Sequence, residues 1–169
     1  YSLSDLDFEA NGKEGVGVDW PLRYKDIAPW YDHVEKFAGI SGSIEGLPHL
    51  PDGQFLPPMD LNCVEKDVAA RIKEKFKGDR HLIIGRVANL TKAIEGRTNC
   101  QFRNRCWEGC PFGGYFSTQS STMPAALKTR NLTVRPFSIV TKLLYNKNTK
   151  KADGVEVLDS ETNKTYTFN

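Results

Sequence analysis

The sequence predicts an α+β fold, with a helical and loop-rich front half followed by an antiparallel β-meander. Three observations carry that reading. Apolar residues recur at helical spacing in two segments before residue 80, a stretch dense in glycine and proline separates those segments, and the chain from residue 131 onward breaks into short β-branched runs divided by turn formers.

Taken in order, residues 1–20 have Asn11-Gly12, Gly15 and Gly17 close together and no sustained period, which reads as loop. Ile27, Trp30, Tyr31, Val34, Phe37 and Ala38 then follow one helical face, with Asp26 as the expected N-cap, Pro29 in the first turn and Gly39 as the stop. Between residues 39 and 60, Gly42, Gly46, Pro48, Pro51, Gly53, Pro57 and Pro58 break both helix and strand, giving a long ordered loop or a linker. Asn62 and Glu65 have capping-box spacing, and Val64, Val68, Ala69, Ile72 and Phe76 recur helically until Gly78. Lys73, Lys75 and Lys77 suit the negative end of that helix's dipole. The apolar run from His81 to Val87 reads as a strand. Residues 88–118 carry the cysteines without a clean period, and Met123–Thr129 forms a short helix with Pro124 near its start. Leu132–Arg135, Ile139–Tyr145, Gly154–Leu158 and Lys164–Phe168 make the meander, with turns at 146–153 and 159–163.

Its 169 residues hold one ordinary domain, or one domain with an appendage. With 39% hydrophobic and 26% charged residues and a mean hydropathy of −0.48, the chain is globular and not disordered or collagenous. It has no run of eighteen apolar residues, and its first residues have neither a basic nor an apolar signal region. Tyr1 is not an initiator methionine, which points to a piece of something longer. The net charge of +2 is uneven: residues 97–151 carry +9 and the remainder −7. That basic half either docks against the acidic remainder or attracts an anionic partner such as a dinucleotide pyrophosphate. No nucleic-acid-binding motif accompanies it.

Three of the four cysteines, Cys100, Cys106 and Cys110, fall within eleven residues, and Pro111 follows the last. Zinc wants four ligands, and neither His81 nor Cys63 stands at a recognised spacing to supply the fourth. A disulfide would leave an odd thiol. Three thiolates suit an iron–sulfur cluster, and reduced cysteines packed as small hydrophobes remain the plain alternative. His33, His49 and His81 lack partners at metal-ligand spacing. No P-loop, nucleophile elbow or Gly-x-Gly-x-x-Gly after a strand is present. Gly113 and Gly114, after the cysteines, fit either a close approach of backbone to a ligand or a tight turn.

Several segments together resemble the glucose–methanol–choline (GMC) family of FAD-dependent oxidoreductases, in particular its bacterial dehydrogenase branch. Asp19-Trp20-Pro21-Leu22-Arg23-Tyr24-Lys25-Asp26-Ile27-Ala28-Pro29-Trp30-Tyr31 is similar to the family's Trp-Pro-x-x-Tyr-x-Asp-Leu-x-Pro-Tyr-Tyr stretch. Gly109-Cys110-Pro111-Phe112-Gly113-Gly114 and the serine-rich run into Pro124-Ala125-Ala126 resemble a segment that passes near the flavin in relatives. Asn131-Leu132-Thr133-Val134 to Val140, then Ala152-Asp153-Gly154-Val155, resemble the strand pair that follows.

The resemblance implies a two-domain fold and oxidation of an alcohol CH–OH by hydride transfer to FAD. It places residues 1–130 on the substrate side and the meander of 131–169 in the FAD-binding domain. Val140 takes the position whose backbone meets the adenine part of FAD. The family's dinucleotide motif belongs upstream of this sequence and its catalytic histidine downstream. The chain is therefore expected to be an internal fragment, inactive alone, whose partners are FAD, a small alcohol such as a sugar, polyol or sugar acid, and the remainder of the parent polypeptide. None of its three histidines inherits the catalytic role. Some bacterial relatives carry a three-iron cluster in a similar cysteine stretch; Cys100, Cys106 and Cys110 match, while Gln101 stands where a further cysteine is expected. The competing class is a stand-alone α+β binding module with a basic surface for an anionic partner.

Overall fold

A computed structural model describes all 169 residues and has the α+β order expected, with helices first and a three-stranded antiparallel sheet last. Contacts divide it into two compact units, Tyr1–Ala125 and Ala126–Asn169.

The first unit opens with two short helices, α1 (Asp5–Phe8) and α2 (Ala10–Glu14), where the sequence reads as loop. Their signals are local and short. The Ser4 amide and hydroxyl both donate to the Asp7 carboxylate, at 2.7 and 2.9 Å, and α2 stops at Gly15 with φ 70°. Phe8, fully buried, sits edge-on to Trp20, which fixes the return of the chain.

Helix α3 (Tyr24–Ala38) starts two residues before the expected Asp26 cap. Asp26 is instead the third helical residue and accepts from the Arg23 amide at 2.8 Å, so it still caps, but backwards. Pro29 consequently lies inside the helix and not in its first turn. The expected apolar stripe does not form the interior of this unit: Trp30 is 71% exposed and Val34 and Phe37 are exposed as well, whereas Glu35 and Ala38 are buried. The Glu35 carboxylate accepts from the Gln54 amide at 2.9 Å and the Ser2 hydroxyl at 3.4 Å. Helix α4 (Cys63–Lys75) carries the full reciprocal cap, Asn62 amide to Glu65 at 2.8 Å and Glu65 amide to Asn62 at 2.9 Å.

Residues 81–87 are extended but form no strand. Within it only Val87 pairs, with Ser41, and residues 81–86 make no ladder. The loop from Ser43 to Gly53 is ordered by Arg86, which donates to the Pro51 carbonyl at 2.6 Å and to Asp52 at 2.8 Å. Asp52 in turn accepts from the Glu45 and Gly46 amides. The centre of the unit is Leu90, 0% exposed, whose amide donates to Gly114 and whose carbonyl accepts from Cys100.

The second unit holds β1 (Ser138–Asn146), β2 (Lys151–Asp159) and β3 (Thr165–Phe168), in that spatial order. The expected strand at Leu132–Arg135 is absent from the sheet; Pro136 and the left-handed Phe137 (φ 55°) interrupt the extended chain before β1 begins. Register pairs Val140 with Val157 and Leu143 with Val155, and these in turn pair with Tyr166 and Phe168, so these six share one face, which ends at the polar pair Ser138–Asp159. Val157 is buried there, while Val140, Leu143, Tyr166 and Phe168 are exposed.

Very little apolar surface is buried overall. The fully buried apolar residues are Phe8, Ala38, Leu90 and Val157, and the accessible surface is 12,628 Å². A folded monomer of this mass exposes about 8,400 Å², and two separate compact bodies of these sizes about 9,900 Å².

Candidate functional site

The cysteine segment is a loop pinned at both ends to the buried centre of the first unit. The Cys100 amide donates to the Leu90 carbonyl at 2.8 Å, and the Thr98 amide and hydroxyl donate to the Phe112 carbonyl at 2.9 and 3.0 Å. Between these ties the chain is irregular, with left-handed residues at Phe102 (φ 52°) and Asn104 (φ 54°), a 3₁₀ turn over Cys106–Glu108, and Gly109 at φ 101°.

All four cysteines are free thiols. Cys100, Cys106 and Cys110 border one recess, but its volume is about 40 Å³. That is room for a few small molecules the size of water at most. Nowhere do three His, Cys, Asp or Glu side chains converge as a ligand set. The thiols are also engaged separately: Cys100 Sγ accepts from the Phe102 amide at 3.4 Å, while the Cys110 sulfur is held by amides further along the chain. The iron–sulfur expectation at Cys100, Cys106 and Cys110 therefore does not fit, since a cluster needs thiolates converging on common irons.

Cys110 is distinguished electrostatically. The Tyr115 amide foremost, with those of Phe112, Gly114 and Gly113, holds its thiol below the ordinary value against the opposing effect of burial. Close by lies Arg97, at the end of a tight turn in which Ile94 and Arg97 exchange main-chain hydrogen bonds across Glu95 (φ 37°) and Gly96 (φ 78°). Arg97 is 6% exposed. Its Nε donates to the Gly113 carbonyl at 2.9 Å and its Nη1 to the Ala38 carbonyl at 3.0 Å, while Nη2 has no partner. Burial lowers its pKa and the Cys110 sulfur opposes that shift. Arg97 was visible in the sequence only as one of ten basic residues; the Glu95-Gly96 turn before it is the signal that could have set it apart.

Arg97 and Cys110 share the wall of a cleft of about 750 Å³ with Trp107, Ser117 and Gln119. Ser117 caps the helical run beyond it, accepting from the Ser120 amide at 3.2 Å; a π-helical turn (Thr118–Thr122) continues directly into α5 (Met123–Lys128).

Gly113 and Gly114 lie beside this cleft but are buried against their own chain. A Cβ on Gly113 would stand 3.1 Å from Arg97 Cγ, at φ 67°, and one on Gly114 3.1 Å from the Cys100 backbone. Close packing of the loop explains both glycines. Val140 belongs to the second unit, on the edge strand β1, beside an irregularity in register between Val140 and Lys142. Its side chain is 61% exposed. His33, His49 and His81 are exposed and lie on α3, in the Pro/Gly loop and at the start of the extended 81–87 segment respectively. No helix is long and apolar enough to cross a membrane.

Comparison with known proteins assigns the family. The family model for GMC oxidoreductases matches residues 19–169. A 2-methyl-1,2-propanediol dehydrogenase of Mycolicibacterium austroafricanum is 27% identical over 164 residues, covering 94% of this chain and 28% of its own length. The chain thus spans less than a third of that relative, and it belongs to the GMC oxidoreductase family.

Proposed function

We propose that the chain is an internal part of an FAD-dependent oxidoreductase that oxidises the CH–OH group of an alcohol, and that it has no activity alone. The family match over residues 19–169 carries this reading. The similarity to an enzyme named for a diol supports a small hydroxylated substrate, of which a polyol, sugar or sugar acid is the proposed class. Residues 1–130 are proposed to lie on the substrate side, and 131–169 in the FAD-binding part.

The cofactor supplies the hydride acceptor when bound. Within this chain, the group suited to hold it is the Val140 main chain: β1 is an edge strand, and the register irregularity beside Val140 takes backbone groups out of the ladder. Gly113 and Gly114 are suited differently. Packed against Arg97 and Cys100, they shape the loop, and Gly113 on the cleft wall and its neighbour Gly114 are proposed to lie close to the bound cofactor. A base for the hydroxyl proton is proposed to come from outside the chain, since the three histidines are exposed and belong to no cluster of His, Cys, Asp or Glu.

The surface supports dependence on the remainder of a parent protein. The excess of about 2,700 Å² over two compact bodies lies on this chain alone and matches one partner's share of a large obligate interface.

The test is to purify the complete protein and record its visible spectrum before and after anaerobic addition of 2-methyl-1,2-propanediol and a polyol panel. A bound flavin that bleaches with an alcohol supports the reading, and folded protein without flavin, or flavin that no alcohol reduces, overturns it. In parallel, calorimetry on the isolated chain should detect no tight, stoichiometric FAD binding.

A further inference from the structure

Two elements of the first unit that pack against little else face one groove. Helix α4 carries a complete N-terminal cap yet buries none of its residues. The segment from His81 to Arg86 is extended and contains the β-formers Leu82, Ile83 and Ile84, and its main chain neither donates nor accepts a hydrogen bond before the Val87–Ser41 bridge. A row of free amides and carbonyls on an extended chain is the state of an open sheet edge, which recruits another strand. Beside this edge lies a groove of about 420 Å³, lined by Leu82 to Ile84 on one side and by the small Ala69 and Ala70 of α4 on the other.

The charges around the groove favour an acidic occupant. Lys66 and Lys73, on the α4 side, are held in no ion pair, and Arg80 lies over the Phe76 ring at 4.6 Å. Of the two acids present, Glu45 accepts from the Ser43 hydroxyl, and the other is Asp60. A second copy is the poorer candidate, because its own edge over residues 80–86 contains Arg80, His81 and Arg86 and no acid, so self-pairing brings like charges together.

We propose that residues 81–86 and α4 receive an extended strand from the part of the parent polypeptide outside residues 1–169, paired through the main chain and placing a carboxylate beside Lys66 or Lys73. The inference rests on reading this chain as part of a larger oxidoreductase. In the diol dehydrogenase relative, 28% of the length corresponds to this chain, which leaves ample polypeptide to supply the strand.

The test uses the complete protein as purified. Hydrogen exchange at residues 81–86 should be at least about a hundredfold slower than for an unstructured chain. Carbodiimide coupling followed by peptide mass spectrometry should join Lys66 or Lys73 to an Asp or Glu of the same polypeptide outside residues 1–169. Lys66→Glu sets like charges together in the groove but suits the first turn of α4, so the protein should fold, with α3 exchange unchanged, while exchange at 81–86 rises about tenfold. Free exchange at 81–86, protection without such a cross-link, coupling to a second copy in a mixture of light and heavy protein, coupling to a different protein, or exchange unmoved by Lys66→Glu would each overturn the strand. Flavin that bleaches with an alcohol while 81–86 exchange freely would sink this inference alone; a protected 81–86 in folded protein without flavin would sink the oxidoreductase reading instead.

Discussion

Gly39 and Gly15 offer a controlled test of how tightly the buried centre is packed. Both cap a helix C-terminus in the left-handed region, at φ 75° and φ 70°. A Cβ at Gly15 meets nothing within 4 Å, whereas one at Gly39 would lie 2.1 Å from Leu90 Cδ2 and 3.0 Å from Ile94 Cδ1. Alanine at either site incurs the left-handed strain, about 1–2 kcal/mol. Only Gly39→Ala adds overpacking, a further 1–3 kcal/mol or so, because Leu90 is fully enclosed and has nowhere to retreat. Gly39→Ala should therefore cost about 2–5 kcal/mol in the complete protein, measured by denaturant unfolding, against about 1–2 kcal/mol for Gly15→Ala. The double variant sharpens this. Leu90→Ala alone leaves a cavity and costs about 3–5 kcal/mol, but it also removes the atom that a Gly39 Cβ would strike. Combined with Gly39→Ala it should cost about 1–3 kcal/mol less than the sum of the two single changes. Equal costs at the two glycines, or strict additivity of Gly39→Ala with Leu90→Ala, would refute the packing described around Leu90.

Three further expectations follow from the hydrogen-bonded loops. Burial pushes the Asp52 carboxyl up, but the Glu45 and Gly46 amides and then Arg86 pull it to a net value below the ordinary one. Its contribution is therefore present above the unfolded value near pH 4 and is lost as the pH falls through the lower folded value. Asp52→Ala should destabilise the protein by about 3 kcal/mol at neutral pH and flatten the acid limb of the stability curve, because it strands a buried Arg86; an unchanged acid limb counts against this. Cys110, with its lowered thiol, carries more thiolate at pH 7 and should react with iodoacetamide ahead of the exposed Cys63; the reverse order would contradict the arrangement of amides around it. Asn62→Ala removes one half of the α4 cap and should cost about 1 kcal/mol by thermal unfolding, with Asn62→Asp close to neutral.

What was legible in the sequence was whatever is decided within a few residues. The Asn62–Glu65 cap and the turn-separated runs of β1 to β3 are local signals, and they appear where expected. Asp26 has the capping preference that its sequence position suggests, but it acts from the third helical position, because that position and the helix start favour the same residue type. The segments 81–87 and 132–135 have strand composition and no ladder. Composition registers a side chain's fit to a pleated surface, whereas a ladder requires a neighbour that pattern alone does not supply. The cysteine spacing suggested convergence, yet left-handed residues at Phe102 and Asn104 and the 3₁₀ turn at 106–108 carry the loop through bends that spacing does not encode. Arg97 was hidden for the opposite reason: its importance lies in contacts with Ala38 and Gly113, far away in sequence.

The failure of α3 to bury its apolar stripe is the more informative disagreement, because the periodicity itself is sound. A helical pattern records which face is dry in the finished molecule, whichever chain segment covers it. The same holds for the sheet, where Val140, Leu143, Tyr166 and Phe168 share one exposed face with only Arg135 laid over the two rings. Polar groups behave differently. Arg86, Asp52 and Glu35 find main-chain or side-chain partners within the chain, since a hydrogen bond must be satisfied at about 3 Å or not at all. An apolar face can wait for a distant segment, because burial is non-directional and proportional to area. A chain whose buried polar side chains are mostly paired, Arg86 Nε, Asn89 Oδ1 and Arg97 Nη2 excepted, and whose apolar faces are open fits the proposed place within a larger fold. On that reading the α3 stripe and the sheet face are where the rest of the oxidoreductase packs, and exposed patches of this kind predict poor solubility for the isolated chain.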